Sequence, residues 1–185
     1  MAKPAGRFAE VKRFLGSYAL AFVGGFLAQM VGVLSIGVGQ GAVVVILDLM
    51  LVPVAVPVAA LLFVPVARRM RRLGNTGLAR FVGLGFLSVV LPMAVALLLT
   101  LRGEPGDAAE KAVGLGLMAI NLGVTYGGSA GFLYWRFSGF AMFECPTPDA
   151  PEPARRGREL GLAIAALLVW QLAFWRIALI LTGGL

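Results

Sequence analysis

From Leu15 to Val66 the chain carries a single charge, Asp48, over a stretch more than twice the about 20 apolar residues that cross a bilayer core. A soluble fold of 185 residues could not keep such a stretch dry, because a chain of that size buries only about 70% of its extended surface. Lipid must cover the rest. The composition agrees: 59% of residues are hydrophobic and 14% charged, where ordinary globular domains carry roughly 25% charged residues. A soluble enzyme or a free nucleic-acid binder is excluded on these grounds, despite a net charge of +7.

The long stretch reads as two crossings, broken at Gly37-Val38-Gly39-Gln40-Gly41, where alternate glycines permit a turn. The same reading applied to the whole chain gives an all-α integral membrane protein. The expected bundle has five transmembrane helices, at about 15–36, 42–66, 81–101, 113–137 and 160–182. All belong to one membrane domain spanning 1–185. A proline-rich cytoplasmic loop is expected over 138–159, and the residues before Leu15 read as a short interfacial helix ahead of an uncleaved first span.

Charge sets the expected orientation. Of the 16 basic residues, all but Arg102, Lys111 and Arg176 lie before span one, between spans two and three, or from the inner end of span four (Arg136) to the start of span five. Basic residues concentrate in cytoplasmic loops, so the amino terminus is expected in the cytoplasm and the carboxyl terminus outside. The basic excess is then a topology signal, with anionic lipid headgroups as partners and no nucleic acid. A bacterial inner membrane is the expected location.

Within the spans, four polar residues stand out. Asp48 is the acid inside a span and Arg176 the base, and both sit about six residues from an outer helix end. Gln29 and Asn121 fall at a similar depth on spans one and four. Intramembrane charges are costly and face protein or water. An Asp48–Arg176 ion pair with amide neighbours, or a binding site built from the same four residues, is therefore expected. Pro53 and Pro57 lie just inward of Asp48 and read as a kink. Trp170, Gln171 and Trp175 on span five read as packing residues, although such a group could also touch a quinone or pigment.

Small residues four apart supply the packing candidates. They are Ala119, Gly123, Gly127 and Gly131 on span four, and Gly24, Ala28 and Gly32 on span one. Such faces let backbones approach where lipid offers no hydrophobic drive for association. The two faces are expected to pack against each other, or else to form an interface with other subunits.

The chemistry on offer is thin. With no histidine there is no histidine-ligated haem or metal and no histidine base. With one cysteine, Cys145, there is no intrachain disulfide. The GxGxxA pattern at 37–42 follows no strand and falls on the outer side, which argues against dinucleotide binding. No catalytic set, metal or cofactor is expected. The sequence thus points to a non-enzymatic polytopic subunit of a larger membrane assembly. The alternative is a small oligomeric transporter or channel protomer that uses the Asp48/Arg176 polar site.

Overall fold

Helices lie along residues 7–34, 58–72, 78–101, 108–136 and 153–181 of the computed structural model, which describes residues 7–37, 58–74, 77–101, 108–136 and 153–181. They are α1 (Arg7–Leu34), α2 (58–72), α3 (Leu78–Leu101), α4 (Ala108–Leu122), α5 (Ser129–Arg136) and α6 (Pro153–Leu181). A π-helical turn, Gly123–Gly128, joins α4 to α5. The residues on either side of it, Leu122 and Ser129, keep α-helical backbone angles, so α4 and α5 form one interrupted rod. Three helices, α1, α3 and α6, contain stretches long and apolar enough to cross a membrane. Among the described residues the protein is entirely helical.

Several helix ends lie beyond the expected spans. The first helix starts at Arg7 rather than near Leu15, so the interfacial segment and the first span are one rod. Arg68, Arg69, Arg71 and Arg72 belong to the last turns of α2, not to a loop. Long basic side chains can ride on a helix into the headgroup layer because their apolar stems extend to water. Helix α6 begins at Pro153, inside the region expected to be an extended loop. Proline is well suited to a first helical position, where its missing N–H has no intrahelical partner to lose. Glu159 is consequently helical, and it forms an ion pair with Arg136 at the end of α5.

The rod formed by α4, the π turn and α5 is central. Helix α3 packs along it on one side and α1 on another, while α6 packs on α1. The wheel of α1 explains why. Val23, Leu27, Val31 and Leu34 form an exposed aliphatic stripe, while Phe14, Tyr18, Ala21, Ala28 and Gln29 are buried. Small, aromatic and polar side chains face protein, and branched aliphatics face outward, as expected of helices solvated by lipid.

One end of the bundle gathers the positive charge. Phe14, Phe63, Phe81 and Tyr134 make an aromatic knot there, with Phe63 at 4.9 Å from both Phe14 and Tyr134. The Arg71 guanidinium lies 4.7 Å from the Tyr134 ring centre and donates to the Tyr134 carbonyl at 3.4 Å. That carbonyl belongs to the last turn of α5, where intrahelical donors run out. Arg13 approaches the same ring at 5.9 Å. Helix starts (α1, α3, α6) and helix ends (α2, α5) therefore meet at this one face.

Candidate functional site

Glycine determines how closely the central rod is approached. A Cβ built on Gly127 would fall on the carbonyl of Gly85 in α3, and one on Gly85 would fall on the carbonyl of Gly127. Gly131 meets the Phe81 carbonyl in the same way, and Gly123 meets Phe86 and Val90. Gly127 and Gly131 therefore lie backbone to backbone against α3 and Gly123 against its side chains, with Ala119 buried one turn before them. Its partner is α3, and the expected pairing with the span-one glycines does not occur. On α1, Gly24 is exposed, and a Cβ there would meet nothing within 4 Å, while Gly25 abuts Thr125 and Tyr126. Gly32 abuts Trp175 and Gln171 of α6, and Ala28 is buried between these two contacts. The packing face of α1 is thus Gly25, Ala28 and Gly32; the expected Gly24 is one residue, or about 100° of helix, out of register.

These close approaches bring a set of buried polar side chains together beside the π turn. Asn121, Thr125, Gln171 and Gln29 are all buried. Asn121 Oδ1 accepts three hydrogen bonds: from Gln171 Nε2 at 3.0 Å, Trp170 Nε1 at 3.1 Å and Thr125 Oγ1 at 3.2 Å. Gln171 Oε1 accepts from Trp175 Nε1 at 3.1 Å. A second contact lies alongside, where the Tyr126 hydroxyl donates to Gln29 Oε1 at 2.8 Å.

The two indoles fix the direction of this network. An indole nitrogen can only donate, so Trp175 requires the oxygen of Gln171 to face it. The nitrogen of Gln171 then faces Asn121, which must present oxygen in return, and Trp170 demands the same oxygen independently. With Oδ1 taken by three donors, the Asn121 amide nitrogen has no acceptor among the described residues, although the residue is only 2% exposed. Three donors on the carbonyl also polarise the amide and strengthen its N–H groups as donors.

The π turn is part of the arrangement. Asn121 is in the last turn of α4, while Thr125 and Tyr126 lie within the wider turn itself. Thr125 points toward Asn121 and Gln171, and its neighbour Tyr126 toward Gln29 of α1. Turns of this kind recur at functional sites because they redirect side chains without ending the helix.

Of the four expected polar residues, Gln29 and Asn121 are buried in this region. Arg176 is exposed, next to buried Trp175 but outside the network. Asp48, Pro53 and Pro57 lie outside the described residues. Sequence reasoning does not single out Thr125 and Tyr126, and it reads Gln171 and the tryptophans as packing. A signal is nonetheless present: Asn121–Thr125 and Gln171–Trp175 are each four apart, and each pair bonds along its own helix. Among the described residues no three His, Cys, Asp or Glu side chains cluster as metal ligands. No protein-family model, curated protein or solved structure matches the chain.

Proposed function

We propose that this chain is a five-span protein of a bacterial inner membrane, with its amino terminus in the cytoplasm, acting as a non-enzymatic subunit of a larger membrane assembly. The observation that carries the subunit reading is the poor coverage of its flanking helices. Only 22% of the membrane-length stretch of α3, and 22% of that of α6, is buried within the protein, against 44% for α1. The outer faces of α3 and α6 are left for lipid or for neighbouring subunits. Helix 58–72 overlaps the end of the second span of this topology, 42–66, and the rod Ala108–Arg136 overlaps the fourth, 113–137. The cationic face around Arg13, Arg71, Arg80 and Arg136 would meet anionic headgroups on the cytoplasmic side. No catalytic residue, metal or cofactor enters the proposal.

Mass determination after extraction in native-membrane nanodiscs tests it. Recovery with different protein chains is expected, and recovery as a lone monomer would overturn the subunit reading. Recovery only as a homo-oligomer would favour the second reading, a small transporter or channel protomer, for which the buried polar residues Gln29 and Asn121 speak. Orientation has its own test. Gly106→Cys should react with an impermeant maleimide in intact cells and Asn75→Cys should not; the reverse pattern contradicts the topology.

A further inference from the structure

We infer that the Asn121 amide is the recognition point of a binding site for a lipophilic carbonyl compound of the quinone class. The inference rests on the chain being a membrane protein and not on its being a subunit. Its starting point is the polarised Asn121 nitrogen, a buried donor without an acceptor among the described residues. A donor left unpaired in a hydrocarbon-solvated interior is costly, and it is made good by any acceptor that can reach it.

The surroundings select the chemistry of that acceptor. The network residues Asn121, Thr125, Trp170, Gln171 and Trp175 carry no charge, so an anion would lie there uncompensated. A neutral oxygen fits, and a carbonyl is the strongest neutral acceptor found dissolved in a membrane. The flanking walls are aromatic. Trp170 lies 5.8 Å from Phe174, which meets Trp175 edge to face at 5.7 Å. Because Trp170 Nε1 bonds directly to Asn121, a carbonyl held by the amide brings its own ring within reach of the indole. Trp170 and Leu117 are both half-buried and pack on the same Phe174/Trp175 cluster, so this side of the network reaches the surface of the protein. A flat ring bearing a carbonyl on an apolar tail satisfies all of these conditions. A phospholipid acyl ester shares the carbonyl and lacks the ring.

The chain's own tryptophans report occupancy. It has three, and Trp135→Phe leaves Trp170 and Trp175 as the fluorophores. The full-length protein in nanodiscs is titrated with decylubiquinone, whose ring quenches indole emission. Saturable quenching is expected, with affinity at least about tenfold weaker in Asn121→Ala, which removes the ligand's hydrogen bond and the bond that holds Trp170 in place. Leu27→Ala, on the exposed stripe of α1 and outside the network, should bind as the parent does. Nanodiscs of diether lipid, which has no ester carbonyl, separate the two sources. Tighter binding there shows acyl esters competing for the amide, and equal binding shows a site selective for the ring. Should Asn121→Ala fail to fold, the infrared carbonyl band of bound decylubiquinone in the parent protein decides, with a shift to lower wavenumber expected. Quenching that rises linearly with membrane quinone in both lipids, or an unshifted carbonyl band, overturns the site.

Discussion

Gly127→Leu is expected to destabilise the protein by about 3 kcal/mol or more, at the upper end of what overpacking costs. The reason is that the new side chain meets backbone. A Cβ at Gly127 falls on the Gly85 carbonyl with Val89 at 3.0 Å beside it. Neither a rotamer change nor a flexible tip can relieve that contact, so α3 must move away from the central rod. The loss would extend to Gly131 and Phe81 one turn along, because the helices separate as rods. Gly24→Leu provides the control, since a Cβ there has nothing within 4 Å. There the gain in helix propensity, up to about 1 kcal/mol relative to glycine, is unopposed. Thermal unfolding in a fixed detergent compares the two. Equal melting temperatures would show that the α3 contact contributes nothing.

The second large effect is expected at Asn121. Asn121→Leu removes the acceptor of Thr125, Trp170 and Gln171 at once. Interhelical hydrogen bonds in membranes are each worth about 0.6 to 2 kcal/mol, which for three bonds gives about 2 to 5 kcal/mol. The lower half of that range applies if Thr125 turns its hydroxyl to a carbonyl of the preceding turn, a bond open to helical threonine. Gln171 keeps its bond to Thr125 Oγ1, but Trp170 has no such local alternative in the observed arrangement. The stranded indole sets the cost, and the rupture should separate α6 from α4 more than α3 from the rod. A drop in melting temperature for Asn121→Leu that exceeds the drop for Thr125→Val, which loses the bonds to Asn121 and Gln171 but leaves Trp170 paired, is the expected pair of results.

Hydropathy alone places the membrane character of α1, α3 and α6, since helix length and apolar content survive any uncertainty about neighbours. Helix ends are less legible. Arg68, Arg69, Arg71 and Arg72 read as loop, yet they are helical, because arginine is a good helix former whatever the solvent at its tip. The glycine faces show a different limit. Spacing of four identifies a face without naming its partner, so Gly127 is legible as a close-approach position while its contact with Gly85 is not. Gly24 and Gly25 are adjacent, and only the angle at which α1 meets the rod chooses between them. The polar site is half legible for a related reason. Depth in the membrane draws attention to Gln29, Asn121 and Arg176 together, but depth does not report which way a side chain points. Arg176 is exposed, while Gln171, five residues earlier on the same helix, is buried in the network. The π turn, which gives Thr125 and Tyr126 their directions, has no periodic signature in a sequence.

The central claim is that α6 and the central rod are joined, inside the membrane, through Gln171 and Asn121. A double-mutant cycle on that pair tests it most directly, with Asn121→Leu, Gln171→Leu and the double variant unfolded in the same bilayer-mimetic detergent. Replacing both partners leaves no stranded amide between them, so the double variant should be more stable than the two single losses imply. A coupling of about 1 kcal/mol or more is expected for groups bonded at 3.0 Å. Losses that add to within about 0.5 kcal/mol, the behaviour of sites that do not touch, would contradict it.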